Sequence, residues 1–120
     1  MLKLLSKIAA YLIIVTGIVH ISFTPFAYSR ITDNMIWFVG AGLAAIFSGF
    51  LNLIWLRSIG KDRVTYWLCL VANLLLALFF VLAAVVIPSP PPFLGVVLLV
   101  FENVAVMMLG KSKSWRGENI

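Results

Sequence analysis

Apolar residues are grouped along the chain into four long runs, separated by short polar segments. The runs cover residues 4–24, 35–56, 64–87 and about 91–110. Each run matches the roughly 20 helical residues that cross a bilayer core of about 30 Å. Because the runs are almost continuously apolar, and because unpaired backbone groups are prohibitive in hydrocarbon, the pattern predicts helices instead of barrel strands. We expect one all-α domain over residues 1–120, a bundle of four transmembrane helices.

The segment between the first two runs contains residues that end and begin helices. Pro25 disfavours helical backbone at Thr24 and is predicted to end the first helix there. A side-chain oxygen of Thr32, Asp33 or Asn34 can cap the second helix. A short connection of this kind predicts that the two helices pack side by side in opposite directions.

The two remaining connections are equally short. Gly60 can close the second helix in a left-handed conformation, and Asp62 can cap the third. The proline-rich segment 88–92 is predicted to be a stiff, extended connector. Sequence neighbours should therefore all be antiparallel, which gives an up-down-up-down bundle.

Composition excludes a soluble fold. Of the 120 residues, 63% are hydrophobic and 11% are charged, whereas soluble domains are roughly one quarter charged. Mean hydropathy is +1.13. A chain this small buries only about 65% of its unfolded surface in water, so its remaining apolar surface needs lipid around it. We therefore expect membrane lipids as partners.

Basic residues are distributed unevenly, and they predict the orientation. Arg30 is the only Lys or Arg in the first and third connections. The other eight flank the first helix, lie between the second and third, or follow the fourth: Lys3, Lys7, Arg57, Lys61, Arg63, Lys111, Lys113 and Arg116. Positive charge favours the cytoplasmic side, so both termini are predicted to be cytoplasmic. The net charge of +5 follows from this topology, and no nucleic-acid partner is expected.

Aromatic and metal-binding residues add two expectations. Trp37, Trp55, Tyr66 and Trp67 are near the ends of the runs, and Trp115 is in the tail; all are predicted at the headgroup level. The chain has one Cys, one His and four acidic residues, three of the acids outside the runs. No zinc or haem ligand set can be drawn from them, so no metal or cofactor is expected.

Polar side chains inside the runs are the candidates for function, since each is costly in hydrocarbon unless it has a partner. In the first helix Thr16, His20 and Thr24 recur every four residues and are predicted to form one polar stripe. The second helix repeats small residues at the same spacing, beside two polar ones: Ala41, Ala45, Gly49, Ser48 and Asn52. That face is predicted to be the bundle interior, with a dimer interface as the alternative.

The third and fourth helices contribute Asn73, Glu102 and Asn103. With a rise of about 1.5 Å per residue from each midpoint, Ser48, Asn73 and Glu102 fall in one layer. Asn52 falls about 10 Å to the cytoplasmic side, and His20 is separated from Glu102 by roughly 11 Å. A direct bond between His20 and Glu102 is therefore not expected.

Glu102 is the only acidic residue in any run. Burial disfavours the charged form of a carboxyl, so Glu102 is predicted to hold its proton near neutral pH and to bond Asn73 or a neighbouring amide. It could link helices, carry a proton or contact another subunit. His20 could bond Thr16, Thr24 or loop backbone, or it could sense external pH. Asn52, Asn73 and Asn103 are interpreted as interhelical bonding groups first and as site residues second.

Three functions are compatible with this interior. The leading hypothesis is a membrane protein that binds a lipid-like or apolar small molecule, or that serves as an accessory subunit of a larger complex. The first alternative is a proton-coupled transporter that works as a homodimer and uses Glu102. The second is a membrane-embedded isomerase with Glu102 and His20 as separated acid and base.

Two short segments resemble pieces of small bacterial four-helix membrane proteins. They are residues 16–20, Thr-Gly-Ile-Val-His, and residues 40–53, which begin Gly-Ala-Gly-Leu and end Leu-Asn-Leu. The resemblance covers only these short pieces, assigns no family and implies no particular activity. We expect the protein in a plasma membrane, the inner membrane of a bacterium.

Overall fold

The structure is a computed structural model that describes residues 1–112, and every regular element in that range is a helix. The helices are α1 (Leu2–Ser22), α2 (Thr24–Ala27), α3 (Asp33–Arg57), α4 (Arg63–Val86) and α5 (Pro90–Ser112). Since α2 is a single turn that continues the span of α1, four long helices remain, and all four are long and apolar enough to cross a membrane. The predicted four-helix architecture is confirmed. Lys113, Trp115 and Arg116 are outside the described residues.

The end of the first span differs from the prediction. Helix α1 ends at Ser22, before Thr24, and after Phe23 the chain forms the extra turn α2. Pro25 lies within the first two residues of α2, where its missing N–H would have no helical partner in any case. The proline therefore begins a turn of helix instead of ending one.

Two of the proposed helix caps are present. At the start of α3 the Thr32 hydroxyl accepts a hydrogen bond from the Met35 N–H at 3.2 Å. At the start of α4 the Asp62 carboxylate accepts from the N–H groups of Val64 at 3.0 Å and Thr65 at 3.3 Å. Each cap satisfies backbone donors that the helix itself cannot pair.

The two other turns are tighter than expected. Helix α3 ends at Arg57 and is capped by Ser58, so Gly60 does not close the helix as predicted. Gly60 does have the predicted left-handed backbone, with φ of 76°, in the loop beyond. Helix α5 begins at Pro90, so the extended connector is shorter than the predicted 88–92. The three consecutive prolines occupy the first turn of α5, a position that tolerates a residue without an N–H.

The long helices form a ring in chain order. Helix α1 packs against α3 and α5, and α4 packs against α3 and α5. Gly17 faces Gly42, whereas Ala10 faces Gly49 further along α3, so these neighbours are antiparallel.

Glycines bring α1 and α3 into backbone contact. A Cβ added at Gly17 would lie 2.6 Å from the carbonyl oxygen of Gly42, and one at Gly49 would lie 2.9 Å from that of Ala10. Small residues at such spacing allow helices to approach closely in lipid. The interior prediction for α3 is confirmed at Ala45, Ser48, Gly49 and Asn52, which are buried.

Aromatic rings of α4 fill two glycine notches on α5. The Phe80 ring lies against Gly95, and the Tyr66 ring lies against Gly110, where added Cβ atoms would come within 2.7 Å and 2.5 Å of the rings. Each ring therefore occupies the volume that a side chain on α5 would need.

Trp55 is predicted at the headgroup level, but its ring faces the interior of the bundle instead of the surrounding lipid. It is fully buried and packs in a core cluster with Leu56, Cys69 and Val106. Trp37 and Trp67, by contrast, expose 76% and 57% of their surface, which suits an anchoring position. Position near the end of a run indicates depth, but it does not indicate which face of the helix a ring occupies.

Candidate functional site

The buried polar residues of α3 and α4 form one hydrogen-bonded cluster, which we call the amide network: Ser48, Asn52, Cys69 and Asn73. The two asparagines bond reciprocally, since Asn52 Nδ2 donates to Asn73 Oδ1 at 2.8 Å and Asn73 Nδ2 donates to Asn52 Oδ1 at 2.9 Å. Ser48 Oγ donates to Asn73 Oδ1 at 2.9 Å, and Cys69 Sγ donates to Asn52 Oδ1 at 3.1 Å. All four residues are buried, and the network joins α3 to α4 through direct side-chain hydrogen bonds.

Asn52 belongs to this layer, contrary to the depth estimate that separated it from Asn73. In a helix each Cα–Cβ bond tilts toward the N-terminus. Because α3 and α4 are antiparallel, the side chains of Asn52 and Asn73 lean toward each other along the bundle and close the gap between their Cα levels. The interpretation of these two asparagines as interhelical bonding groups is consistent with the contacts.

Glu102 lies at a different interface. Its Oε2 accepts a hydrogen bond from Ser6 Oγ at 3.0 Å, which joins α5 to α1, and both residues are fully buried. The predicted bond to Asn73 is absent because the Asn73 amide is occupied by Asn52, Ser48 and Cys69. Glu102 Oε1 is buried and has no partner within the described residues.

Ser6 was not a candidate from sequence because it lies near the start of its run. A signal was nevertheless present. Ser6, Ala10, Ile13 and Gly17 follow one another at intervals of three or four residues, and all four are buried. This spacing places them on one helix face, so a serine on the glycine-bearing face could have been assigned to the interior.

The Glu102 carboxyl makes no hydrogen bond to the amide network within the described residues. Asn103, the next residue, is half-buried, and its Oδ1 has no partner in residues 1–112. Of the three candidate asparagines, Asn103 alone is outside the amide network.

His20 belongs to an aromatic cluster at the opposite end of the bundle. Its Nε2–H donates to the Phe38 carbonyl oxygen at 2.9 Å, and its ring stacks on the Phe38 ring with centroids 3.8 Å apart. Tyr28 contacts the other edge of this cluster, with its centroid 5.5 Å from that of Phe38. The hydrogen bond of His20 is therefore made to the backbone of α3.

The three polar residues of the first span do not form a connected stripe. Thr16 is half-buried, and its hydroxyl donates to the Leu12 carbonyl in its own helix at 2.7 Å. Thr24 is buried in α2, and its hydroxyl has no partner among the described residues. Neither threonine bonds His20. Thr16 is hydrogen-bonded within its own helix, whereas Thr24 is buried.

Glu102 and His20 are further apart than the depth estimate of roughly 11 Å. Glu102 is in contact with Ser6, and the distance along α1 from Ser6 to His20 is about 21 Å at 1.5 Å per residue. The earlier estimate assumed that the midpoints of α1 and α5 lie at one level, whereas Glu102 pairs with the first turns of α1. A shared acid–base site on one small substrate has no support from this geometry.

A groove opens between α3 and α4 on the outer side of the amide network. Its volume is about 380 Å³, and its walls are Ala44, Phe47, Ser48, Leu51, Ala72, Leu75, Leu76 and Phe79. The Ser48 hydroxyl is already bonded to Asn73, so the accessible wall is apolar. We call this feature the α3–α4 groove.

A second void is far smaller. It has a volume of about 10 Å³ and lies where the four long helices meet, with Thr16, Ala45, Phe80 and Gly95 among its lining residues. It has room for at most about one water molecule. Neither the groove nor the void is lined by His20 or Glu102.

Within the described part of the chain, no group of three or more His, Cys, Asp or Glu side chains is placed to hold a metal ion. Comparison with known proteins gives no further assignment, since no family model, curated protein or solved structure matches the chain.

Proposed function

We propose that this protein is an integral membrane protein that takes a lipid-like molecule from the bilayer into the α3–α4 groove. We place it in the plasma membrane of a bacterium. The distribution of its basic residues favours both termini in the cytoplasm. The observation that carries the proposal is the groove itself, which has the size and apolar character of a small-molecule site.

The amide network explains why the groove stays open. Ser48, Asn52 and Asn73 join α3 to α4 on the inner side of the helix pair. On the outer side the lining residues Ala44 and Ala72 are small, and they leave space between the helices. Hydrogen bonds thus fix the separation and register of the pair, while the short side chains leave the lateral opening.

The direct test is photo-crosslinking in nanodiscs with a phospholipid that has a photoactivatable group in its acyl chain. Ala72→Phe fills the groove and is expected to lower labelling of α3 and α4 peptides several-fold. Val71→Phe is the matched control, because Val71 is adjacent in α4 and 51% exposed, outside the groove.

Equal labelling of wild type and both variants would overturn the proposal. If labelling is absent in wild type and a cysteine at position 44 cross-links to another protein chain instead, the groove is covered by protein. That outcome would favour the accessory-subunit or homodimer hypothesis over lipid binding.

A proton-carrying role for Glu102 is the second candidate. It is favoured by the unpartnered Oε1 of this fully buried carboxyl, since an oxygen without a protein partner is free to bind and release a proton. A single closed bundle has little room for a pathway, so this function requires a second copy or an opening between helices.

Proteoliposomes with an internal pH-sensitive dye test this role. Glu102→Gln keeps the size and polarity of the side chain, and under an imposed membrane potential it is expected to abolish proton flux if Glu102 carries protons. Unchanged flux, with the variant folded by circular dichroism, would leave Glu102 as a structural link between α1 and α5.

A further inference from the structure

Three basic residues lie at the loop that joins α3 to α4, beyond one end of the α3–α4 groove. Arg57 is the last residue of α3, Lys61 lies in the following loop, and Arg63 is the first residue of α4. All three are exposed. The same two helices that form the groove therefore present basic side chains at one end of it.

The carboxylate of Asp62 in this loop already accepts hydrogen bonds from the start of α4. Asp62 caps α4, where its carboxylate accepts hydrogen bonds from the backbone N–H groups of Val64 and Thr65 and from the Thr65 hydroxyl. Its charge is directed at the N-terminus of α4. The exposed side chains of Arg57 and Lys61 therefore make the surface of this loop positively charged.

The distance from these charges to the groove matches the length of a lipid chain. Along α3, Arg57 lies about 9 Å from Leu51 and about 20 Å from Ala44 at 1.5 Å per residue. One leaflet contributes about 15 Å to the hydrocarbon core. A chain that begins at the level of Arg57 therefore enters the groove near Leu51 and occupies about 6 Å of it before the middle of the bilayer.

We propose that the occupant of the α3–α4 groove is an anionic glycerophospholipid, with its phosphate beside Arg57 and Lys61 and one acyl chain in the groove. The inference rests on the proposed function and adds the chemical class of the ligand. Arginine and lysine close to the membrane surface attract anionic headgroups, and the apolar groove walls suit a hydrocarbon tail.

The experiment compares two photoactivatable lipids with identical chains, phosphatidylglycerol and phosphatidylcholine, in nanodiscs. The wild type is expected to label with phosphatidylglycerol about fivefold or more over phosphatidylcholine. The double variant Arg57→Gln, Lys61→Gln should bring this ratio close to one while phosphatidylcholine labelling of the groove persists.

The matched control is Lys3→Gln, Lys7→Gln, which removes the same charge from exposed positions on α1. It is expected to keep the preference for phosphatidylglycerol. If the control removes the preference as fully as the loop variant does, the general surface charge is responsible and the inference is wrong.

Two further outcomes separate this inference from the function on which it rests. If the loop variant keeps the preference while Ala72→Phe lowers labelling by both lipids, the groove binds lipid without headgroup selection, and only the inference fails. If Ala72→Phe lowers labelling by neither lipid, the proposed function fails as well.

Discussion

The two faces of α3 are held to their neighbours by different means. Toward α1 the contact is backbone against backbone, at Gly42 and Gly49, where a Cβ would overlap with atoms of α1. Toward α4 the contact is a set of side-chain hydrogen bonds from Ser48 and Asn52. The first face has no room for anything else, whereas the second borders a groove of about 380 Å³.

This difference shows how a small membrane bundle can be both stable and open. In lipid there is little hydrophobic drive between helices, so association depends on close packing and on interhelical hydrogen bonds. Packing requires continuous contact along the interface. Hydrogen bonds act at a few points, and a groove can remain beside them.

The largest effect is expected where α1 and α3 touch. Gly17→Ala places a methyl group 2.6 Å from the Gly42 carbonyl oxygen, and overpacking of this kind destabilises by about 1 to 3 kcal/mol. Unfolding by SDS in mixed micelles measures the loss. The measurement tests whether the α1–α3 face depends on backbone contact.

Gly40→Ala is the control on α3. An added Cβ there meets nothing within 4 Å, so the variant should be neutral or more stable by up to about 1 kcal/mol through helix propensity. Equal destabilisation by the two alanines would contradict the distinction between the tight face and the open one.

A smaller effect is expected in the amide network. Asn52→Ala or Asn73→Ala removes one half of the reciprocal pair and leaves a buried polar group unpaired, which costs about 1 to 2 kcal/mol. A double-mutant cycle should show the double variant to be less destabilised than the sum of the single variants.

Asn103→Ala provides the comparison for this cycle, since Asn103 Oδ1 has no partner in the described structure. It should change stability much less than Asn73→Ala. Strict additivity of Asn52→Ala and Asn73→Ala would mean that the reciprocal bonds do not contribute to holding α3 on α4.

The smallest effect concerns the loop that joins these helices. The Thr65 hydroxyl, the Thr65 N–H and the Val64 N–H hold the pKa of Asp62 below its ordinary value, with the hydroxyl as the largest cause. This contribution is present above the unfolded pKa of about 3.9, and it is lost as pH falls through the lower pKa of the folded state.

Thermal unfolding followed from neutral pH to about pH 3 measures this contribution. The wild type should lose part of its stability at the acid end, and Asp62→Asn should flatten that part of the curve. Thr65→Val removes the hydroxyl donor and should flatten it partly. Identical curves for all three proteins would show that the Asp62 cap does not contribute to the stability of the protein.

The four spans and the caps at Thr32 and Asp62 could be predicted from the sequence because they depend on local composition and local hydrogen bonding. The placement of Ser48 and Asn73 in one layer was also correct. Predicting this layer requires only the rise per residue of a helix and the approximate centre of each span.

Contacts that depend on helix rotation and relative height could not be predicted in this way. The partner of Glu102 is Ser6 because α5 meets the first turns of α1. The relative height of two helices cannot be derived from the sequence of either helix alone. Trp55 faces the core for a similar reason. The groove depends on the spacing of α3 and α4, which results from packing of the whole bundle.

The glycine notches of α5 have a mechanical consequence. With Phe80 seated at Gly95 and Tyr66 at Gly110, sliding of α5 along α4 would drive both rings into bulkier residues, so this pair should move as one rigid body. The close backbone contact makes α1 and α3 a second rigid body. Any widening of the groove would then be a hinge motion between two helix pairs, with the reciprocal asparagines near its axis.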